Sequence, residues 1–289
     1  MGPRSSCHAP RSAALLVSAL VLALSFAPAL AARAAGTSPS KIAAVAEIYK
    51  LSGFRDQVIA FPAVMAAQLE SDKDNIPPRV YNILRTAATE SFDPAVMDSL
   101  CLSRLQEELS ETTTKATLAF LNSPTGRTVT EAERRSTTVE AVQQRIDFMK
   151  NRAPESDPAR TTLLRTLDAA SGGTEMYTTM TLTLRYAMAA AFNTTRPEAE
   201  RQSEDALWTL VQQDLAQIRS DSEQEALNEY SFMYRAITKE ELRQYIQFAV
   251  SEPGLDYSRA TLKVVAEFMA KMAQGFANVS AREFMKESK

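Results

Sequence analysis

The stretch at 118–133, LAFLNSPTGRTVTEAE, has a counterpart at 246–261, IQFAVSEPGLDYSRAT. Phe120 aligns with Phe248, Ser123 with Ser251 and Gly126 with Gly254, each pair 128 positions apart. Both copies describe one local event. A helix ends, and a serine hydroxyl stands ready to accept from an N–H of the next helix. Pro124 and Pro253 fall in the first turn, where a missing N–H costs no intrahelical bond. A glycine three residues after the cap allows two helices to approach closely, and Glu252 adds a charge that the helix dipole favours. Phe120 and Phe248 are expected as core anchors beneath the corners. A chain that carries this corner twice must contain two tightly turned helix pairs. Read as chemistry, the corners are poor: Ser123 has no histidine to activate it, and Glu252 repels any anion drawn to an open helix end.

The remaining punctuation is helical as well. Gly is scarce, 8 in 289 residues, and no long stretch alternates as a half-buried strand does. Ile42, Val45 and Tyr49 mark a first helix stopped at Gly53. Phe54, Val58, Phe61, Met65 and Leu69 mark a second, with Pro62 inside it as a kink. Val80, Ile83, Leu84 and Ala87 follow, then Asp93-Pro94 as cap and first residue of a helix bearing Met97, Leu100, Cys101 and Leu105. Ser110 opens a short helix to Leu121, and Pro124 opens a long one reaching Met149. The second half replays this order. Asp157-Pro158 starts a helix closed by Ser171-Gly172-Gly173, and Met176, Met180, Leu184 and Met188 follow it. Pro197 begins another helix through Leu207, Leu215 and Ile218. Ser222…Glu225 and Thr238…Glu241 read as capping boxes, and a closing helix carries Val264, Phe268, Met272 and Phe276. The expected architecture is an all-α helical bundle of two tandem, pseudo-repeated modules, at 41–152 and 157–289.

Ahead of them, Arg4 and Arg11, the apolar run 13–24 and small residues up to Ala31 form the three-part pattern of a secretory signal peptide. Residues 1–31 are read as that leader and 32–40 as a flexible mature N-terminus. The apolar run is about twelve residues, short of the roughly twenty that span a bilayer, so no stable membrane span is expected after cleavage. Removal of the leader leaves 258 residues (289 − 31) and moves the net charge from −3 to −5, because Arg4 and Arg11 go. His8 and Cys7 go with them, leaving Cys101 as the single cysteine. An exported protein of this kind has no internal disulfide, and at this length a core suffices without one. Mild acidity without a basic tract argues against nucleic acid. The expected location is periplasmic or secreted.

LAFLNSPTGRTVTEAE together with TKEELRQYIQFAVSEPG resembles the uncharacterised, mostly bacterial exported family numbered twenty fifty-nine among the domains of unknown function. Thr238 to Leu242, Phe120 to Gly126 and Leu51 to Gly53 match its helix start, its corner and its helix stop. Leu121 and Ala249 depart from it where an aromatic is usual, and the second corner reads SEPG. The resemblance covers most of the mature chain as two degenerate copies. It implies a helical fold and export, and brings no activity, cofactor or catalytic residue.

Candidate chemistry is correspondingly thin. Without histidine, and with one cysteine, the mature chain has no zinc site or His-assisted triad. Asp72 to Asn75 hints at a calcium loop, but its twelfth position is Ile83. Cys101 sits on an apolar stripe and is expected buried and inert. Glu90, in TESFDPAV, resembles the acid of lytic transglycosylases, a role requiring a buried carboxyl with a raised pKa. Met176, Met180, Met188, Met269 and Met272 are candidates to line an apolar groove. Asn193 and Asn278 begin sequons that matter only in a eukaryotic host. The expected function is a non-enzymatic contact in the cell envelope, with an unknown protein or an apolar ligand. The alternatives are a peptidoglycan-cleaving glycosidase using Glu90 and a carrier of a small apolar ligand. No cofactor or metal is expected.

Overall fold

The computed structural model describes residues 39–71, 73–151, 157–194 and 196–286. The expected leader, the 32–38 stretch and the inter-module residues 152–156 lie outside them. Among the described residues there are thirteen α-helices and no strand, which makes the fold all-α.

In the first half, α1 (Pro39–Leu51) stops where Gly53 takes a left-handed φ of 73°, a conformation that costs only glycine little. Next come α2 (Phe54–Ser71), containing Pro62, and α3 (Pro78–Glu90). α4 (Pro94–Glu108) starts where Asp93 Oδ1 accepts from the N–H of Ala95 at 2.9 Å. α5 (Glu111–Leu121) is capped by Ser110, whose Oγ accepts from Thr113 N at 3.0 Å. α6 (Pro124–Ser136) and α7 (Val139–Asn151) complete the half. The second half holds α8 (Pro158–Ser171), α9 (Gly173–Thr194), α10 (Glu204–Val211), α11 (Leu215–Met233), α12 (Lys239–Ala249) and α13 (Glu252–Lys286). α8 starts on the Asp157 cap and stops at Gly172, φ 72°. Thr238 and Glu241 form the expected capping box in full.

Three expectations fail, each for a local reason. The long helix after Pro124 is two helices, broken at Thr137 and Thr138. Ser136 and Thr137 turn their hydroxyls back onto the Glu133 carbonyl, and Thr138 Oγ1 accepts from Ala141 N at 3.3 Å as the next helix starts. Such side-chain bonds compete with the helical ladder. The Ser222…Glu225 box is no helix start, because both residues lie inside α11. Ile218 is buried one turn earlier, so packing carries the helix back past the serine. The helix expected from Pro197 is a single 3₁₀ turn, Glu198–Glu200, and α10 begins only after the Ser203 cap.

The helices of the two halves pack in matching pairs. α1 rests on α4 and α5, and α8 rests on α11 and α12; α2 meets α3 and α4, and α9 meets α10 and α11. The halves also cross: α6 packs on α11 and α12, while α13 packs on α3, α4 and α5 as well as on α8, α9 and α12. One apolar core therefore runs through both, from Val45, Phe61 and Leu105 to Tyr230, Leu242 and Phe268. Phe61 of α2 meets Phe268 of α13 edge-on, with ring centroids 5.5 Å apart.

Candidate functional site

The two corners lie against each other. Ser123 Oγ accepts from Gly126 N at 3.0 Å and Ser251 Oγ from Gly254 N at 3.2 Å, so each serine caps the helix that follows it. Pro124 and Pro253 both fall in the first turn of those helices. The Phe120 and Phe248 rings stack on one another, centroids 4.1 Å apart and planes within 2°, and Tyr245 stacks on the other face of Phe120 at 5.6 Å. The expectation of anchors beneath each corner needs correction on one point: both rings are partly exposed, and their main partner is each other. Since α5 and α12 each end in such a ring, stacking them hides two apolar faces at once.

Beneath the stack is a small cavity of about 40 Å³, lined partly by residues 128 apart, such as Thr130 with Ser258 and Glu133 with Thr261. It has room for about three waters. Glu133 is buried there on α6. Tyr234 Oη donates to its Oε1 at 2.7 Å and Tyr245 Oη to the same oxygen at 3.2 Å. Burial pushes this carboxyl up to about 8, against the two tyrosine donors, which pull it down. At neutral pH the carboxyl is largely protonated, and burying it then costs far less than burying a carboxylate.

A larger and more polar cleft follows α11. One compartment, about 300 Å³, lies between α2, α7 and α11; another, about 180 Å³, lies between α9 and α11, and Glu225 lines both. In the first, Arg145 Nη2 donates to Gln68 Oε1 at 2.8 Å, and its Nη1 lies 3.4 Å from Glu229 Oε2. All three side chains are buried. Burial drives the Glu229 carboxyl up to about 7, and Arg145 works the other way. In the second, Tyr177, Thr181 and Arg185 stand at four-residue intervals on α9, facing Ser222 and Ile218 of α11. The Tyr177 hydroxyl is buried and has no hydrogen-bond partner among the described residues. Burial holds this phenol well above its usual range, so it stays neutral.

The other sequence candidates are scattered. Glu90 is exposed and paired with Arg282, without the burial that a glycosidase acid needs. Cys101 is free and fully buried, and burial pushes its thiol up to about 12. Met176, Met180, Met269 and Met272 are buried; the last three, with Met65, border an apolar cavity of about 30 Å³. Sequence reasoning missed Glu133, Arg145, Tyr177 and Glu229. A signal existed for two of them. Glu133 lies four residues after Val129 and seven after Gly126, on the buried face, while Glu229 precedes the apolar run YSFMY. No protein-family model matches the chain, and no curated protein or solved structure matches it either.

Proposed function

We propose that this is an exported, non-enzymatic binding protein of the cell envelope, built from two pseudo-repeated helical modules and similar to the exported family named above. The paired packing of the two halves and the stacked corners support the repeat. The contact function rests on one observation: large apolar side chains stand in solvent along α9 to α11. Trp208 is held there by stacking on Tyr186 at 4.5 Å, and Phe192, Leu210 and Leu215 are each more than two-fifths exposed. Exposed apolar side chains gathered on neighbouring elements mark interaction surfaces, and an aromatic ring with a fixed orientation is a common anchor of protein interfaces. The occupant that fits is an apolar helix face of another envelope protein.

A photo-crosslinking amino acid placed at Leu210, with a control at Val139 on α7, tests this in the native host. The reading expects a protein adduct from position 210 and none from 139. Equal labelling at both positions, or adducts to lipid alone, overturns it. The buried methionine-lined cavity favours one second reading, an apolar-ligand carrier, for which native mass spectrometry of protein from its own host should show a co-purifying lipid. The glycosidase alternative is checked by digesting sacculi: muropeptide release abolished by Glu90→Gln would replace the binding reading with an enzymatic one.

A further inference from the structure

The cleft along α11 goes beyond that reading, because it is polar and lies apart from the exposed aromatic side chains. Two of its groups have been left without partners at a cost to stability. A buried hydroxyl without a hydrogen bond loses its hydration for nothing, and that is the state of Tyr177. Arg185, two turns further along the same face of α9, lines the same compartment and is only partly exposed. No hydrogen bond or ion pair engages its guanidinium among the described residues. Ser222, buried between them on α11, supplies another hydroxyl.

The charges are spaced along the cleft rather than mixed. At the Tyr177 end lie the carboxylate side chains of Glu225 and Glu229, the latter facing Arg145. At the other end is Arg185, with Asp221 on the rim accepting from Gln217 Nε2 at 2.8 Å. Two helical turns separate the Cα atoms of Tyr177 and Arg185 by about 11 Å. A long helical side chain leans back toward the N-terminus of its helix, which brings the guanidinium nearer to the phenol. The charge-to-charge span is then about 6–10 Å, too long for the adjacent ammonium and carboxylate of one amino acid. It matches the two ends of a di- or tripeptide, at about 3.5 Å per extended residue.

We infer that this cleft binds a short peptide by its two free ends, with the ammonium at Glu225 and the Tyr177 oxygen and the carboxylate at Arg185 and Ser222. Arginine suits the second role because its planar fork pairs with both oxygens of a carboxylate. The Ile146 and Met149 side chains in the adjoining compartment leave room for an apolar residue next to the ammonium.

Calorimetric titration of the whole mature protein with trialanine tests the inference. The comparison ligands are N-acetyl-trialanine, trialanine amide and alanine, which lack the ammonium, the free carboxylate and the length respectively. Saturable binding of trialanine is expected, with each comparison ligand at least about tenfold weaker. Tyr177→Phe and Arg185→Gln should each weaken trialanine by a similar factor. Tyr177→Phe should also melt higher than the parent when no peptide is present, since it removes an unpaired hydroxyl and leaves the shape unchanged. No saturable heat with trialanine overturns the inference. So does equal binding of the acetylated or amidated peptide, or a Tyr177→Phe variant that binds as well as the parent.

Discussion

Gly126 and Gly254 show how much one missing methyl group decides. A Cβ built on either would lie 2.0 Å from the carbonyl oxygen of Phe120 or Phe248. The obstacle is backbone, which has no rotamer to move aside, so alanine at either position must push apart the two helices of its corner. Gly126→Ala and Gly254→Ala should each cost about 3 kcal/mol, read as a fall in the denaturant midpoint at unchanged slope. A loss below half a kcal/mol in either would contradict the close approach. Glu133 makes the opposite kind of demand. Its carboxyl is raised from 4.5 to about 8 in the folded state, so folding favours its protonated form. The associated stability is complete below about pH 4.5 and is lost as pH rises through 8, on the order of 4 kcal/mol over the window. Glu133→Gln keeps an acceptor for Tyr234 and Tyr245 and removes the titration. The variant should therefore be the more stable protein at pH 8.5 and should show a flatter stability profile between pH 5 and 8. The remaining slope belongs to Glu229, raised to about 7.

Among the elements, helix starts were the most legible in sequence because a cap is a local transaction between a side chain and N–H groups two or three residues away. Asp93, Ser110, Ser123, Asp157, Thr238 and Ser251 all cap where the letters place them. Thr238→Ala should cost about 1 kcal/mol and raise amide exchange at the start of α12 while leaving α8 unchanged. Exchange rising equally in both would mean that the cap does not act locally. Helix continuity was harder to read. Ser222 has a capping-box spacing, yet it lies inside α11 because the neighbouring face, Ile218 included, is buried against α9. The hydroxyl run at 136–138 breaks one helix of the first half, whereas the matching region of α13 continues unbroken to Lys286. The difference is physical: Tyr257, Thr261 and Val264 of α13 are followed by apolar Val265, Phe268 and Met269, whose burial holds the helix straight on.

On the scale of the molecule, the halves are alike in order but not independent. α13 packs on three helices of the first half, and the largest apolar cluster contains residues of both. A fragment ending at residue 151 loses the cover of α3, α4 and α5 together with the Phe248 ring that stacks on Phe120. Expressed alone, residues 39–151 should show no cooperative melt by circular dichroism, while the whole mature chain should unfold in one transition. A fragment that melted cooperatively would show that each half carries a sufficient core.

What the sequence determined by itself was everything that acts within a few residues or repeats at a helical period: the all-α class, most caps, both left-handed glycine stops, the two corners and the buried cysteine. Tertiary structure alone decided what lies across a gap in the chain. It stacked Phe120 on Phe248, enclosed Glu133 between two tyrosines from α11 and α12, joined Arg145 to Glu229 and left Tyr177 unpaired. None of those outcomes is written in spacing, because the desolvation that raises a carboxyl or isolates a hydroxyl depends on which distant helices close over it.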